Sequence, residues 1–122
     1  MSARAPEAQP AAAPERGSAT LTSQMRGETL VMRPLGRFDF SLYREFCACY
    51  RQAPAETRYY ELDLTAASSM DSAALGMLLL LRDHAGGDAR RVQLVNPSKS
   101  VAETLRIVNF DQLFVIVFGA PA

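Results

Sequence analysis

Three short runs, residues 59–64, 91–95 and 113–117, have the alternating or continuously apolar character of β-strands, and stretches of helical periodicity separate them. That alternation limits the possible folds more than any other feature of the chain. A strand that passes through a helix before the next strand cannot form a hairpin with it. Such strands pair in parallel, and the intervening helices pack on the sheet. The last run, Leu113-Phe114-Val115-Ile116-Val117, is apolar throughout, as expected for a buried strand.

An antiparallel element precedes this pattern. Residues 19–25 read as an edge-like strand, Gly27-Glu28 turns the chain, and residues 29–33 read as a second strand ended by Pro34 and Gly36. Leu42, Phe46 and Cys49 then recur at helical spacing over residues 41–52, with Asp39 or Ser41 as cap and Pro54 as stop. A second helix begins at Ser72 and closes at Gly86-Gly87. A third follows Asn96-Pro97, capped by Ser98 or by a Ser100/Glu103 capping box. The order β-β-α-β-α-β-α-β predicts an α/β domain with a mixed sheet of about five strands and helices mainly on one face. No internal repeat is evident.

Residues 1–18 are rich in Ala and Pro and have no apolar periodicity, which predicts a disordered tail ahead of a domain spanning 19–122. With Lys+Arg and Asp+Glu equal at 13 each, the chain lacks the basic footprint of a nucleic-acid binder. Cys47 and Cys49 are the only cysteines; two apart in a helix, they diverge, which argues against a mutual disulfide and fits a reducing cytoplasm. The apolar run ending at Leu81 is cut at once by Arg82-Asp83-His84, so no membrane span is expected, and the N-terminus has no signal-peptide core.

The run from Ser69 to Leu81 says most about function. Ser72 stands beside Asp71 at the start of a helix that is apolar almost all round. Its sides carrying Leu75, Leu78 and Leu79 and its sides carrying Ala73, Met77 and Leu80 cannot both be core in so small a domain. The spare side is a candidate docking surface with Ser72 at its edge, and its candidate residues are Asp39, Met70, Asp71, Ser72, Ala73, Ala74, Met77 and Leu80. A simpler reading makes Asp71 the N-cap and Ser72 a solvated first-turn residue. Phe38-Asp39-Phe40 has two readings as well: core aromatics around a capping Asp, or a carboxylate facing the Ser72 helix.

Catalytic readings find little support. His84, the one histidine, lies three turns beyond Ser72 on the same helix, about 18 Å away, which excludes a Ser-His-acid triad. It reads as a solvated residue favoured at the helix C-terminus by the dipole. No cysteine or carboxylate cluster has metal-ligand spacing, and Gly86-Gly87 lacks the pattern of a phosphate-binding loop. Arg90-Arg91 reads as a solvated pair. The sequence therefore predicts no enzyme, no metal and no cofactor.

The stretch Leu62-Asp63-Leu64 … Met70-Asp71-Ser72-Ala73-Ala74-Leu75-Gly76 resembles the signature of STAS domains, specifically bacterial anti-sigma factor antagonists. In that family a strand and short loop lead into Asp-Ser-Ser-Gly-Leu-Gly at a helix start. Gly36-Arg37-Phe38-Asp39, Gly86-Gly87, Asn96-Pro97-Ser98 and residues 109–114 match further landmarks. The resemblance covers about residues 20–118 and is greatest to proteobacterial antagonists of the HptB-dependent secretion and biofilm type. It implies a STAS fold and a phosphorylation site at Ser72, modified by a partner serine kinase and restored by a PP2C-type phosphatase, on one multidomain response regulator or on separate chains. It also implies that the unphosphorylated form binds an anti-sigma factor or related output protein, with roles in transcription control, motility and biofilm formation. Ala73 and Ala74 depart from the family's Ser and Gly; the first leaves Ser72 as the clear acceptor, and the second costs little in a helix. The alternative implied function is a constitutive adaptor, like the small cytoplasmic subunits of lipid transporters, and a third is a nucleotide-sensing domain.

Overall fold

The computed structural model describes residues 20–119. The tail predicted for 1–18 lies outside them. The opening hairpin joins β1 (Thr20–Arg26) to β2 (Thr29–Phe38) in antiparallel register, Arg26 opposite Thr29 and Thr20 opposite Leu35. Gly27, at φ +62°, makes the tight turn, a left-handed conformation that glycine adopts at no steric cost. Strands β3 (Tyr59–Asp63), β5 (Val92–Val95) and β6 (Val115–Val117) extend the sheet in parallel, in the order β1-β2-β3-β5-β6.

The sheet has six strands rather than about five. The additional one, β4 (Ala67–Met70), pairs in parallel with the far end of β2, Gly36 opposite Ala67 and Phe38 opposite Met70. It exists because β2 does not stop at Pro34 and Gly36 as expected. Gly36 takes φ +85° beside a register shift, so it is a bulge that bends the strand and lets pairing resume at Arg37. The 113–117 run also differs from expectation: only Val115–Val117 is strand, and it is half-buried because it lies at the sheet edge.

Helix α1 (Tyr43–Arg51) follows a short 3-10 turn at Phe40–Leu42, so the predicted 41–52 helix is split at its start. Helix α2 (Ser72–His84) ends as predicted. Gly86 and Gly87 have φ of +91° and +77°, and their N–H groups return to the carbonyls of Asp83 and Arg82. Helix α3 (Lys99–Ile107) takes Ser98 as its N-cap, its Oγ accepting from Val101 N at 3.3 Å, which decides between the two caps.

All three helices bury residues in one core with a single parity of the strands: Leu30 and Met32 of β2, Tyr60 and Leu62 of β3, Val92 and Leu94 of β5. The opposite parity carries charge. Arg33 Nε donates to the buried carboxylate of Asp63 at 2.9 Å, and Asp63 also accepts from the backbone N–H and hydroxyl of Thr65. Burial drives the Asp63 pKa up, but these hydrogen bonds together outweigh it and hold the carboxyl below its ordinary value. Each crossover among the described parallel strands steps outward in the same direction. The sheet therefore lacks the reversal of strand order at which open α/β sheets hold dinucleotides.

A serine-led apolar ridge at the start of helix α2

The unforeseen strand β4 assembles the candidate site. Its pairing places Met70 opposite Phe38, and Asp71 N donates to Phe38 O at 3.4 Å. The chain beyond β2 and the start of α2 are thereby neighbours, which brings the Asp39 loop beside Ser72. Asp71 is extended and caps the helix, its Oδ1 accepting from Ala74 N at 2.9 Å. Ser72 is the first residue of the helix, exposed, and its hydroxyl has no hydrogen-bond partner among the described residues.

Asp39 takes the capping role of its first reading. It caps the 3-10 turn, accepting from Ser41 N at 3.0 Å and Ser41 Oγ at 2.6 Å, one residue beyond Phe38, whose carbonyl accepts from Asp71 N. The Ser41 hydroxyl, then its backbone N–H, hold the Asp39 carboxyl below its ordinary pKa, with Arg37 at 3.8 Å assisting. Of the two flanking aromatics only Phe38 is core. Phe40 is 65% exposed and stacks on Tyr43 with ring centroids 5.3 Å apart.

Helix α2 divides its apolar surface differently from the sequence expectation. Ala74 (0% exposed) and Met77 (2%) belong to the core with Leu78 and Leu81, so these two predicted docking residues present no surface to a partner. The reason is angular. At 100° per residue, positions 74, 77, 78 and 81 share one side, and positions 72, 76, 79 and 83 share the other. The outward stripe is therefore Ser72, Gly76, Leu79 and Asp83, flanked by Leu80, with Leu79 43% and Leu80 41% exposed. Ala73 and Met70 are half-buried at its margin. Leu79, Gly76 and Phe40 were absent from the predicted set. The first two were legible as the i+7 and i+4 partners of Ser72, whereas Phe40 carried no signal separating it from a core aromatic.

Gly76 is informative in its own right. Glycine in mid-helix costs about 1 kcal/mol relative to alanine. A Cβ built on Gly76 meets nothing within 4 Å, so nothing in this chain's packing requires its absence. The dent it leaves lies on the exposed stripe, between Ser72 and Leu79.

The remaining chemistry-bearing residues do not converge there. His84 is exposed in the last turn of α2, at the opposite end from Ser72, with the Tyr50 ring 4.7 Å and the Tyr60 ring 5.8 Å away. Cys47 and Cys49 are free thiols. Among the described residues no group of three metal-ligating side chains forms, and no helix is long and apolar enough to cross a membrane.

One mixed sheet, three helices on one face and a capped serine opening the second helix define an α/β domain of the STAS class. The chain belongs to the STAS domain family: the family model described as "Mlab, STAS domain" matches residues 21–117. A STAS-domain containing protein of Pseudomonas aeruginosa (strain UCBPP-PA14) is 47% identical over 90 residues, covering 74% of this chain and 89% of that protein. Among solved structures, an anti-sigma factor antagonist of Thermotoga maritima superposes with a TM-score of 0.70 at 17% identity, covering 80% of this chain and 85% of that one. The anti-sigma factor antagonist SpoIIAA in its unphosphorylated form gives 0.65 at 19% identity, over 82% of this chain and 90% of that one. Its phosphorylated form, described as a Bacillus cell fate determinant, gives 0.59 at 19% identity, over 82% and 93%.

Proposed function

We propose that this protein is an anti-sigma factor antagonist of a cytoplasmic partner-switching pathway, of the HptB-dependent type, and that it acts by binding rather than by catalysis. Unphosphorylated, it holds an anti-sigma factor or related output protein on the stripe formed by Ser72, Gly76, Leu79 and Leu80, with Phe40 at its border. A serine kinase phosphorylates Ser72 and ends binding; a PP2C-type phosphatase restores it. The observation that carries this reading is the exposed apolar stripe led by an unpartnered serine and containing a glycine that the fold itself does not use. The anti-sigma factor antagonist folds among the solved structures support the same role.

The energetics favour a switch in binding over a switch in folding. A phosphoserine carries about −1.5 to −2 charges at pH 7. At a helix N-terminus such an anion gains roughly 0.3–1 kcal/mol, so the free domain tolerates it. Asp71 and Asp39 oppose it, but at the water-facing helix start this like-charge repulsion is screened by solvent and salt. Burying the same charge under an apolar partner costs several kcal/mol after relaxation. About 4 kcal/mol corresponds to roughly a thousandfold in affinity, so the docking penalty dominates.

The test uses wild-type and Ser72→Asp baits in a lysate of the native cell, compared by mass spectrometry, alongside ATP-dependent labelling by the cognate kinase. An anti-sigma factor recovered by wild type and lost with Ser72→Asp, at an unchanged melting temperature, is the expected result. Labelling of Ser72→Ala equal to wild type, or equal capture by both baits, overturns the assignment. A constitutive adaptor uses the same face without a switch, and a phosphate-affinity gel showing one unmodified band under all growth conditions supports it instead.

A further inference from the structure

β6 is the last strand of the sheet, and its outer edge has no partner strand among the described residues. The two edges of the sheet differ in chemistry. β1 presents mostly Thr, Ser, Gln and Arg side chains and is exposed over most of its length, a polarity that discourages pairing with other chains. Val115-Ile116-Val117 carries no charge and no proline. One bond fixes how this strand faces. Asn96 N donates to Val117 O at 2.6 Å, so the backbone polar groups of Val117, and by alternation those of Val115, face β5. The N–H and C=O of Ile116 therefore point away from the sheet.

Beside that edge, between α3 and β6, lies an open depression of about 650 Å³ with Pro97, Ile116 and Phe118 in its lining. Ile116 stands opposite Leu94 and so on the helix side of the sheet, and Phe118 is 64% exposed. Four charges rim the depression, in chain order Lys99, Glu103, Arg106 and Asp111. All four are exposed, and none is ion-paired among the described residues. Lys99 and Glu103, or Glu103 and Arg106, have the spacing for a pair within the helix but do not make one. Along the rim the signs alternate, plus, minus, plus, minus, and read backwards they are opposite at every position. Such a surface is complementary to itself under a two-fold axis, which sets Lys99 against Asp111 of a second copy and Glu103 against Arg106. A uniformly acidic or basic partner would instead meet repulsion at every second position.

We propose that two copies of this chain join along β6, antiparallel, through a two-fold axis at Ile116. Ile116 exchanges both backbone hydrogen bonds with its counterpart, and Val115 lies opposite Val117 of the second copy. The axis is perpendicular to the sheet, so both α3 helices stay on one face and run antiparallel, the arrangement that the alternating charges match. Three residues of strand fall short of the roughly 800 Å² per partner of a standard interface, so the α3 rim and Phe118 supply the rest. Sedimentation equilibrium of the full chain between about 1 μM and 1 mM tests the pairing, with a concentration-dependent monomer–dimer equilibrium expected. Glu103→Arg sets like charges together at two symmetric positions and weakens the dimer about tenfold; adding Arg106→Glu restores it to within about threefold. Both residues are exposed, so the variants fold, and melting temperatures check it. In a sample mixing isotope-labelled and unlabelled chain, an NOE between Val115 Hα and Val117 Hα of different copies is expected. A monomer over the whole range, a dimer lacking that NOE, or one whose affinity Glu103→Arg leaves unchanged overturns the proposal. An Ile116 amide protected from exchange in a monomeric sample overturns it too, in favour of another segment of this chain on the edge. No outcome bears on the phosphorylation reading at Ser72, which concerns α2.

Discussion

Replacing Gly76 with alanine separates what the fold needs from what a partner needs. Gly76 is helical, exposed and mid-α2, and an added Cβ meets no atom within 4 Å. The substitution therefore creates no clash, and the helix gains the full propensity difference of about 0.8–1.0 kcal/mol. For a domain of this size that raises the melting temperature by about 4–8 °C. The same methyl fills the dent between Ser72 and Leu79, where the proposed partner's backbone approaches. Overpacking of that kind costs about 1–3 kcal/mol, or roughly five- to 150-fold in affinity. Circular dichroism melts give the first quantity, and biolayer interferometry against the captured anti-sigma factor gives the second. A variant melting at or below wild type refutes the open-space argument for Gly76. A stabilised variant with wild-type affinity refutes the placement of the partner on this stripe.

The two sides of α2 respond oppositely. Met77→Ala, in the core, costs about 2–5 kcal/mol in urea denaturation, whereas Leu79→Ser on the exposed stripe stays within about 0.5 kcal/mol and weakens target binding; the reverse ranking would show that the helix is rotated. Stability also falls in acid. The folded-state pKa of Asp63 lies below its unfolded value of 3.8, so its contribution is complete above that value and is lost as pH drops through the folded pKa. Asp39 and Asp88, also lowered, act in the same window. Denaturant midpoints measured between about pH 5 and pH 2 decline for wild type and decline less steeply for Asp63→Asn; equal slopes would refute the role of the Arg33–Asp63–Thr65 bonds.

Much of the fold was legible because its signals are local. Gly86-Gly87 ends α2 through positive φ angles that need no distant partner, Asp71 caps the helix three residues ahead of Ala74, and the crossover pattern dictates parallel pairing of β3, β5 and β6. The strand β4 was not legible. Its residues, Ala67-Ser68-Ser69-Met70, have neither an apolar alternation nor β-branched side chains, and they become a strand only because β2 continues past its bulge. Pro34 and Gly36 read locally as a stop, whereas pairing on both sides carries the strand through them.

The sequence alone determined the order of the helices and of every strand but β4, the α/β class with its STAS signature, and Ser72 as the hydroxyl at a capped helix start. These follow from periodicity, turn chemistry and capping, all of which act within a few residues. The tertiary structure decided which side of α2 is spare and which residues border it. A helix apolar all round has no amphipathic phase, so only contact with the sheet buries Ala74 and Met77 and leaves Gly76, Leu79 and Leu80 outside. The tertiary structure also brought the end of β2 to the start of α2, through the pairing of β4 with β2 and a backbone hydrogen bond from Asp71 to Phe38 that spans more than thirty residues of chain.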